Sequence, residues 1–431
     1  MKRQISAILV ALLVLSGVSL WPQASGGKDP GTLVVWMKKG FVDEQNVAFM
    51  KRVNDFAAAK HIKVDVEMLA YEDIYPKWTA AIQSGNVPDI SFFGYQEVGQ
   101  FESQGVLEDL TPLLKQIQAK YGAFFPSAIQ AITFGGKSYA VPFWGEGTAL
   151  YYRKDMFQKA GIAAPPQTWD EYRADAVKLT DAANGVYGSG AGYGDGNSDC
   201  EWLSRGIIWA FGGSEFAADG KTITIDSPQT RKAIDYITGL FTREKVTPPT
   251  ALGWNDSGNN TSYLSGQSAM VFNTGSIVNA MKKSAPDLLA VTGYAPLPAG
   301  PAGRFTAGIS NNLGVFKGAK NKALASELLI YLLDPTWYKE WIDVSAPLAL
   351  PVYQDLAKND PIWKDPTNKA FMDSMSTFKY LGYKGSYSPG AGKIYNLRLI
   401  NALFENILAK GMSVDAALAQ YKQDAAKAML P

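Results

Sequence analysis

The hydrophobic pattern of residues 32–93 alternates between the spacing of a β-strand and that of an α-helix. Apolar runs over 32–36 and 88–93, together with strict alternation over 62–67, predict three strands. Between them, apolar positions recur at helical spacing over 47–57 and again over 74–82. This order of strand, helix, strand, helix and strand predicts a parallel α/β sheet with right-handed crossovers.

Sheets of this kind bind ligands beyond the carboxyl ends of their strands. Residues 37–41 follow the first predicted strand, and residues 94–97 follow the third. We therefore expect these two segments to lie at one rim of the sheet and to contribute side chains to a binding site.

The rest of the chain continues to alternate, with clear signals at the ends of its elements. Thr168 and Glu171 form an N-terminal capping box, which predicts a helix directly after Thr168. Further helices are predicted over 202–211 and 226–241, and a strand over 269–272.

Three segments rich in proline or glycine predict crossings between two lobes. They cover residues 142–147, 297–303 and 346–351. A hinged clamshell requires three such crossings, and we expect each lobe to be a mostly parallel sheet flanked by helices. The predicted lobe 1 comprises residues 27–143 and 297–347, and the predicted lobe 2 comprises residues 144–296 and 348–431.

Residues 1–26 are typical of a secretory signal peptide. Lys2 and Arg3 precede an apolar run over 5–15, which is followed by small residues and is too short for a stable membrane anchor. A lipid anchor would need a cysteine directly after this run, and the only cysteine in the chain is Cys200. The sequence therefore predicts a protein released into the periplasm.

Composition narrows the range of partners. The 431 residues include 41 basic and 40 acidic side chains, and cleavage that removes Lys2 and Arg3 leaves a net charge near minus one. Nucleic acid and anionic lipid are therefore poor candidates, because either would require a basic face. Aromatic residues make up 12% of the chain, which favours a surface that stacks on flat ligand faces such as those of sugars.

A dense signature lies at residues 149–172, where an apolar, aromatic strand is followed by a short helical turn, Gly161 and the capping box. This segment resembles the one that follows the first inter-domain crossing in family 1 of the extracellular solute-binding proteins, the receptors of sugar-importing ABC transporters. Other segments are similar to the family in the same order, namely 33–36, 85–93, 266–271, 305–313 and 350–352.

The resemblance covers nearly the whole mature chain. It implies a clamshell similar to the maltose-binding proteins, which captures a disaccharide or short oligosaccharide between its lobes. It also implies delivery of that sugar to the membrane permease of an ABC transporter, by a monomer without a cofactor.

The resemblance implies a set of ligand-contacting positions. Their carboxylates and amides suit the vicinal hydroxyls of a sugar, and their aromatic faces suit its ring. They are Lys38, Phe41, Tyr95, Gln96, Glu97, Trp144, Glu146, Trp202, Thr274, Gly275, Ser276, Asn311, Asn312, Tyr387 and Arg398. Ser276 stands where the family often has a tryptophan.

For four of the tryptophans, we weigh contact with a ligand against a purely structural role in the core. Trp36 follows three apolar strand residues and is predicted to belong to the core. Trp144 lies among two glycines and a glutamate, a setting poor in packing partners, so we expect it to contact ligand. Trp254 lies in a polar loop, which predicts exposure and adds it to the candidate site, whereas Trp202 fits a core role and a ligand role equally.

No catalytic, metal or cofactor site is predicted. Residues 195–199 begin like a calcium loop, but Cys200 occupies the position of its turn glycine. The only histidine is His61, and no Gly-x-Ser-x-Gly motif is present, which disfavours Ser-His catalysis. Two alternatives to a sugar receptor stay open: a secreted glycoside hydrolase that uses two carboxylates, and a clamshell receptor for a polyamine or another cation.

Overall fold

The computed structural model of the protein describes residues 31–429, except residues 41, 195 and 386. The predicted signal peptide over 1–26 lies outside this range. The strands are β1 (Thr32–Lys38), β2 (Lys63–Leu69), β3 (Ile90–Gly94), β4 (Thr133–Phe134), β5 (Lys137–Ser138), β6 (Val141–Glu146), β7 (Ala149–Arg153), β8 (Met270–Asn273), β9 (Thr292–Ala295), β10 (Thr306–Ala307), β11 (Ile309–Gly314) and β12 (Phe378–Lys379).

None of the helices in the described part of the chain is both long enough and apolar enough to span a membrane. The α-helices are α1 (Asp43–Lys60), α2 (Tyr71–Ser84), α3 (Tyr95–Ser103), α4 (Thr111–Tyr121), α5 (Pro126–Gln130), α6 (Lys154–Lys159), α7 (Trp169–Leu179), α8 (Ser198–Ala210), α9 (Pro228–Thr242), α10 (Gly258–Leu264), α11 (Ser276–Ser284), α12 (Pro286–Val291), α13 (Lys322–Leu332), α14 (Pro335–Asp343), α15 (Gln354–Asn359), α16 (Pro366–Ser374), α17 (Pro389–Asn396), α18 (Leu399–Leu408) and α19 (Val414–Ala428).

A five-stranded sheet has the order β2-β1-β3-β11-β6. The pairing of β1 with both β2 and β3 is parallel, which confirms the arrangement predicted for the first three strands. Strand β11 runs antiparallel to both β3 and β6, so β6 points in the same direction as β3. The carboxyl ends of β1, β3 and β6 therefore lie at one edge of the sheet.

A buried carboxylate joins three segments at the opposite edge of this sheet. Asp89 is 3% exposed. Its Oδ2 accepts hydrogen bonds from the Val34 backbone N–H (2.9 Å) and from the Asn321 side chain (3.1 Å). Its Oδ1 accepts from the backbone N–H groups of Lys320 (2.9 Å) and Asn321 (2.8 Å). Asp89 therefore fixes the start of α13 against β1 and β3.

We expect Asp89→Asn to lower the free energy of unfolding by about 1 to 3 kcal/mol, because an amide offers one acceptor oxygen in place of two. Its NH₂ group would also face backbone donors. Chemical denaturation measures the change, with Asp170→Asn as the control because the Asp170 side chain is 83% exposed. Equal losses in the two variants would contradict the role assigned to Asp89.

The second sheet has the order β8-β7-β9, and both of its pairings are antiparallel. The expectation of a mostly parallel sheet in each lobe is therefore wrong for this one. That expectation extended the strand and helix alternation of the first sheet to the rest of the chain. Residues 154–269 separate β7 from β8, and a connection of that length determines neither the neighbour of a strand nor its direction.

Two of the predicted crossings pair with each other. The Gly145 N–H donates to the Leu350 carbonyl (3.0 Å), and the Leu350 N–H donates to the Gly145 carbonyl (2.8 Å). Strand β7 begins only three residues after Glu146, and Gly147 between them has no room for a side chain, because a Cβ there would meet the Phe371 carbonyl. The first and third crossings thus form a short two-stranded ribbon.

A fully buried ion cluster holds the helices around the second sheet together. The Arg205 guanidinium binds the carboxylates of Glu201 (2.8 Å) and Glu215 (2.6 Å). Glu215 also accepts from the Tyr421 hydroxyl (2.6 Å), and Glu201 accepts from the Asn401 N–H (2.9 Å). The cluster thereby connects α8 to α18 and α19.

Candidate functional site

Four predicted site residues converge at the carboxyl edge of the five-stranded sheet. Glu146, at the end of β6, accepts hydrogen bonds through Oε1 from Lys38 at the end of β1 (3.5 Å) and from Asn311 of β11 (3.0 Å). The same oxygen accepts from the Trp144 indole N–H (3.3 Å). The Lys38 and Glu146 side chains remain 16% and 12% exposed. This edge therefore presents a paired charge and an amide to a ligand.

Trp144 is more closely packed than the sequence predicts. Its ring stacks on Phe92 (centroids 5.6 Å apart) and meets the edges of Phe143 (5.8 Å) and Trp341 (5.6 Å). Only 7% of the residue is exposed. The expectation of a setting poor in packing partners is wrong, because Phe92 of β3 and Trp341 of α14, both distant in sequence, pack on the ring together with the adjacent Phe143.

Two candidates lie inside the structure and not at the rim. Tyr95 is fully buried, stands beside Tyr380 (4.8 Å between ring centroids), and its hydroxyl accepts from the Leu381 N–H (3.2 Å). Asn312 is also fully buried, and its amide donates to the carbonyls of Phe93 (3.3 Å) and Ser310 (3.1 Å). These partners assign both side chains to the core, which argues against ligand contact.

Two further candidates, Gln96 and Glu97, lie in the first turn of α3, near the rim. Gln96 and Glu97 are buried, and their side-chain oxygens lie over Gly94, where a Cβ would collide with them. The Tyr387 hydroxyl donates to the Gln96 carbonyl (2.7 Å), which brings the C-terminal part of the chain to this edge. Phe41 is not among the described residues.

The turn after β8 is held mainly by its own hydrogen bonds. Asn273 Oδ1 accepts from the Thr274 N–H (2.7 Å) and from the Ser276 hydroxyl (3.0 Å). Gly275 packs directly on the backbone of residues 347–348, which leaves no space for a side chain. Gly275 therefore contacts the third crossing, and Thr274 and Ser276 remain half-buried beside it.

The other three candidates lie in the half of the molecule that contains the second sheet. Trp202 of α8 stacks on Tyr395 (centroids 4.6 Å apart), and the Arg398 guanidinium lies 4.7 Å from the centre of the same Tyr395 ring. The prediction that Trp254 is exposed is wrong: the residue is half-buried, because its ring packs on Gly192 and Gly258. The absence of side chains at Gly192 and Gly258 makes that close approach possible.

Sequence analysis missed Asp199 as a site residue. Asp199 lies in the first turn of α8, and its Oδ2 accepts hydrogen bonds from the side chains of Asn259 (2.8 Å) and Asn273 (2.9 Å). Desolvation raises the pKa of Asp199 to about 7, with further contributions from the charges of Asp256 and of Glu146.

The one signal for Asp199 is the acidic stretch at 195–199, which begins like a calcium loop and also fits a rim that contacts ligand. Within the described residues, no group of three or more His, Cys, Asp and Glu side chains could hold a metal ion. The candidate residues offer instead carboxylates, amides, an ammonium and a guanidinium. These groups can donate to and accept from a polar, hydroxyl-rich ligand.

The sequence profile of the bacterial extracellular solute-binding proteins matches residues 43–339, which is more than half of the chain. The chain belongs to this family. This solute-binding protein is 28% identical over 300 residues to a binding protein of Brucella abortus, and the match covers 69% of this chain and 71% of the relative.

Solved structures show the fold of this solute-binding protein. A solute-binding protein of Thermotoga lettingae, bound with α-D-tagatose, has a TM-score of 0.78 and 23% identity, and covers 93% of this chain and 100% of its own. A sugar transporter protein of Arthrobacter chlorophenolicus, with bound laminaribiose, has a TM-score of 0.79 and 21% identity with the same coverage. The predicted two-lobed clamshell of a periplasmic binding protein is confirmed.

Proposed function

We propose that this protein captures a sugar between its two lobes and delivers it to the permease of an ABC importer. The observation that carries the proposal is the convergence of Lys38, Glu146 and Asn311 at one sheet edge. Alternating donors and acceptors of this kind suit the hydroxyls of a sugar. The sugars bound by the structurally similar proteins agree with this ligand class.

The proposed contacts are those candidates that keep polar or aromatic atoms near the cleft. Glu97, Gln96 and Tyr387 would extend the site along α3, and Trp202 with Arg398 would close it on the opposite side. Thr274 and Ser276 would contribute from the turn after β8. The lobe boundaries given above, with lobe 1 over 27–143 and 297–347, form part of this proposal.

The remaining features rest on the sequence and on the family. We propose a periplasmic monomer that is exported by cleavage of residues 1–26 and has no lipid anchor. We also propose that it is a receptor without enzymatic activity, in agreement with relatives that are binding proteins. A polyamine is the weaker ligand candidate, because Lys38 and Arg398 share the cleft with its carboxylates.

Calorimetry and a thermal-shift assay with laminaribiose, maltose, D-tagatose and spermidine test the ligand class. We expect at least one of the sugars to bind and to raise the melting temperature, and spermidine to do neither. Small-angle scattering at saturating sugar should show a smaller radius of gyration, because the ligand holds the hinged lobes together.

The sugar recovered after incubation should be intact by chromatography. Cleavage products would favour the glycoside hydrolase, and binding of spermidine alone would favour the cation receptor. An unchanged radius with bound sugar would contradict the closure of the lobes.

A further inference from the structure

A single buried amide joins the turn after β8 to Asp199. Asn273, the last residue of β8, is 4% exposed. Its Oδ1 accepts hydrogen bonds from the Thr274 N–H (2.7 Å) and from the Ser276 hydroxyl (3.0 Å). Its Nδ2 donates to Asp199 Oδ2 (2.9 Å) and to the side-chain oxygen of Asn260. Asn273, which is absent from the predicted site, therefore binds two proposed ligand contacts, Thr274 and Ser276, and the carboxylate beside them.

The amide uses its full hydrogen-bonding capacity in these contacts. A side-chain amide has two N–H donors and one oxygen with two lone pairs. In Asn273 both donors and both lone pairs are engaged. The partners also fix the direction of the amide, because a carboxylate needs a donor and a backbone N–H needs an acceptor. Aspartate at this position would lack the donors, and leucine would lack both functions.

The turn that Asn273 organises lies against the third predicted crossing. Gly275 of this turn packs directly on the backbone of residues 347–348. In α11, which follows the turn, Lys282 donates to the Ala346 carbonyl (3.0 Å). The turn is therefore fixed at the place where the chain passes between the two halves, which is where a ligand held between the lobes would be contacted.

The partners of Asn273 keep acceptor atoms for a further donor. The Ser276 hydroxyl donates its proton to Asn273, which leaves the lone pairs of Ser276 Oγ to accept. Asp199 accepts from Asn259 and Asn273 through Oδ2, and no donor in the described part of the chain reaches its Oδ1. Both side chains are half-buried, so a ligand can still reach them. Two acceptors on opposite sides of one amide suit the hydroxyl donors of a sugar.

Resting on the sugar-receptor function proposed above, we propose that Asn273 is a positioning residue that orients Ser276 and Asp199 toward the sugar without contacting the sugar itself. The buried amide fixes both acceptors before the ligand arrives, so that binding does not have to order them. Loss of the amide should weaken sugar binding by about tenfold, because two oriented acceptors are lost together.

The test is calorimetry of Asn273→Ala with laminaribiose, maltose and D-tagatose, together with chemical denaturation of the ligand-free protein. For the sugar that binds the wild type, we expect affinity to fall about tenfold. Asn368→Ala is the matched control, because Asn368 is 5% exposed and donates to the Ile362 carbonyl (3.0 Å) beside α16. This control should lose stability and keep the affinity of the wild type.

A double-mutant cycle separates positioning from direct contact with the sugar. Ser276→Ala removes one of the acceptors that Asn273 orients. If Asn273 acts through Ser276, the double variant should lose less binding free energy than the two single variants together. Additive losses, or a folded Asn273→Ala with the affinity of the wild type, overturn the inference and leave the receptor function intact.

Asn273→Asp keeps the test decisive if Asn273→Ala does not fold. Aspartate has the shape of asparagine and can still accept from the Thr274 N–H and the Ser276 hydroxyl, but it cannot donate to Asp199. We expect a folded protein that binds sugar more weakly than the wild type. Failure of both variants to fold, or the affinity of the wild type in Asn273→Asp, assigns the amide a purely structural role and overturns the inference. Failure of the wild type to bind any of the three sugars contradicts the receptor function itself, and the inference with it.

Discussion

Arg205→Met should lower the free energy of unfolding by about 3 to 5 kcal/mol, because it leaves two carboxylates buried without their cation. Glu201 and Glu215 are 0% and 2% exposed as side chains, so water cannot replace the guanidinium. The loss should appear as a lower midpoint in urea with little change in the slope of the transition.

Arg243→Met is the matched control for this variant. The Arg243 side chain is 50% exposed and pairs with Asp235 at 2.7 Å, a distance close to those in the buried cluster. Its removal should cost less than about 1 kcal/mol, because solvent screens an exposed ion pair. Comparable losses from the two arginines would show that burial does not determine the strength of the Arg205 cluster.

Trp144→Ala should also cost about 3 to 5 kcal/mol of stability, because it empties the space between Phe92, Phe143 and Trp341. It should weaken sugar binding as well, since the indole N–H orients Glu146. Thermal unfolding of the ligand-free protein and calorimetry with laminaribiose, maltose or D-tagatose separate the two effects.

Trp144→Phe is the informative companion to this variant. Phenylalanine keeps most of the packing and removes the indole donor, so stability should decrease far less than in Trp144→Ala while affinity still falls. If Trp144→Ala instead left the ligand-free protein as stable as the wild type, Trp144 would be a ligand platform and not part of the core.

The elements predicted best from sequence are those with local signals. The capping box of Thr168 and Glu171 forms as predicted and begins α7, and α2 ends at Gly85 in the left-handed conformation that favours glycine. The alternation of strand and helix over residues 32–93 correctly predicted that β1, β2 and β3 run parallel to one another in a sheet.

Contacts between segments that are distant in the chain could not be predicted from the sequence. The antiparallel pairings of β7 depend on strands more than a hundred residues away, and no local pattern encodes them. The packing of Trp144 depends on Trp341 in the same way. Asp199 was missed because its hydrogen bonds come from Asn259 and Asn273, which approach it only in the folded chain.

The ribbon formed by Gly145 and Leu350 also limits how the clamshell can move. Two hydrogen-bonded segments resist twisting and sliding against each other, whereas they bend easily across their shared face. The lobes should then approach each other by rotation about a single hinge axis. A single pair of fluorescent labels, one on each lobe, would be enough to follow the whole opening and closing cycle in real time.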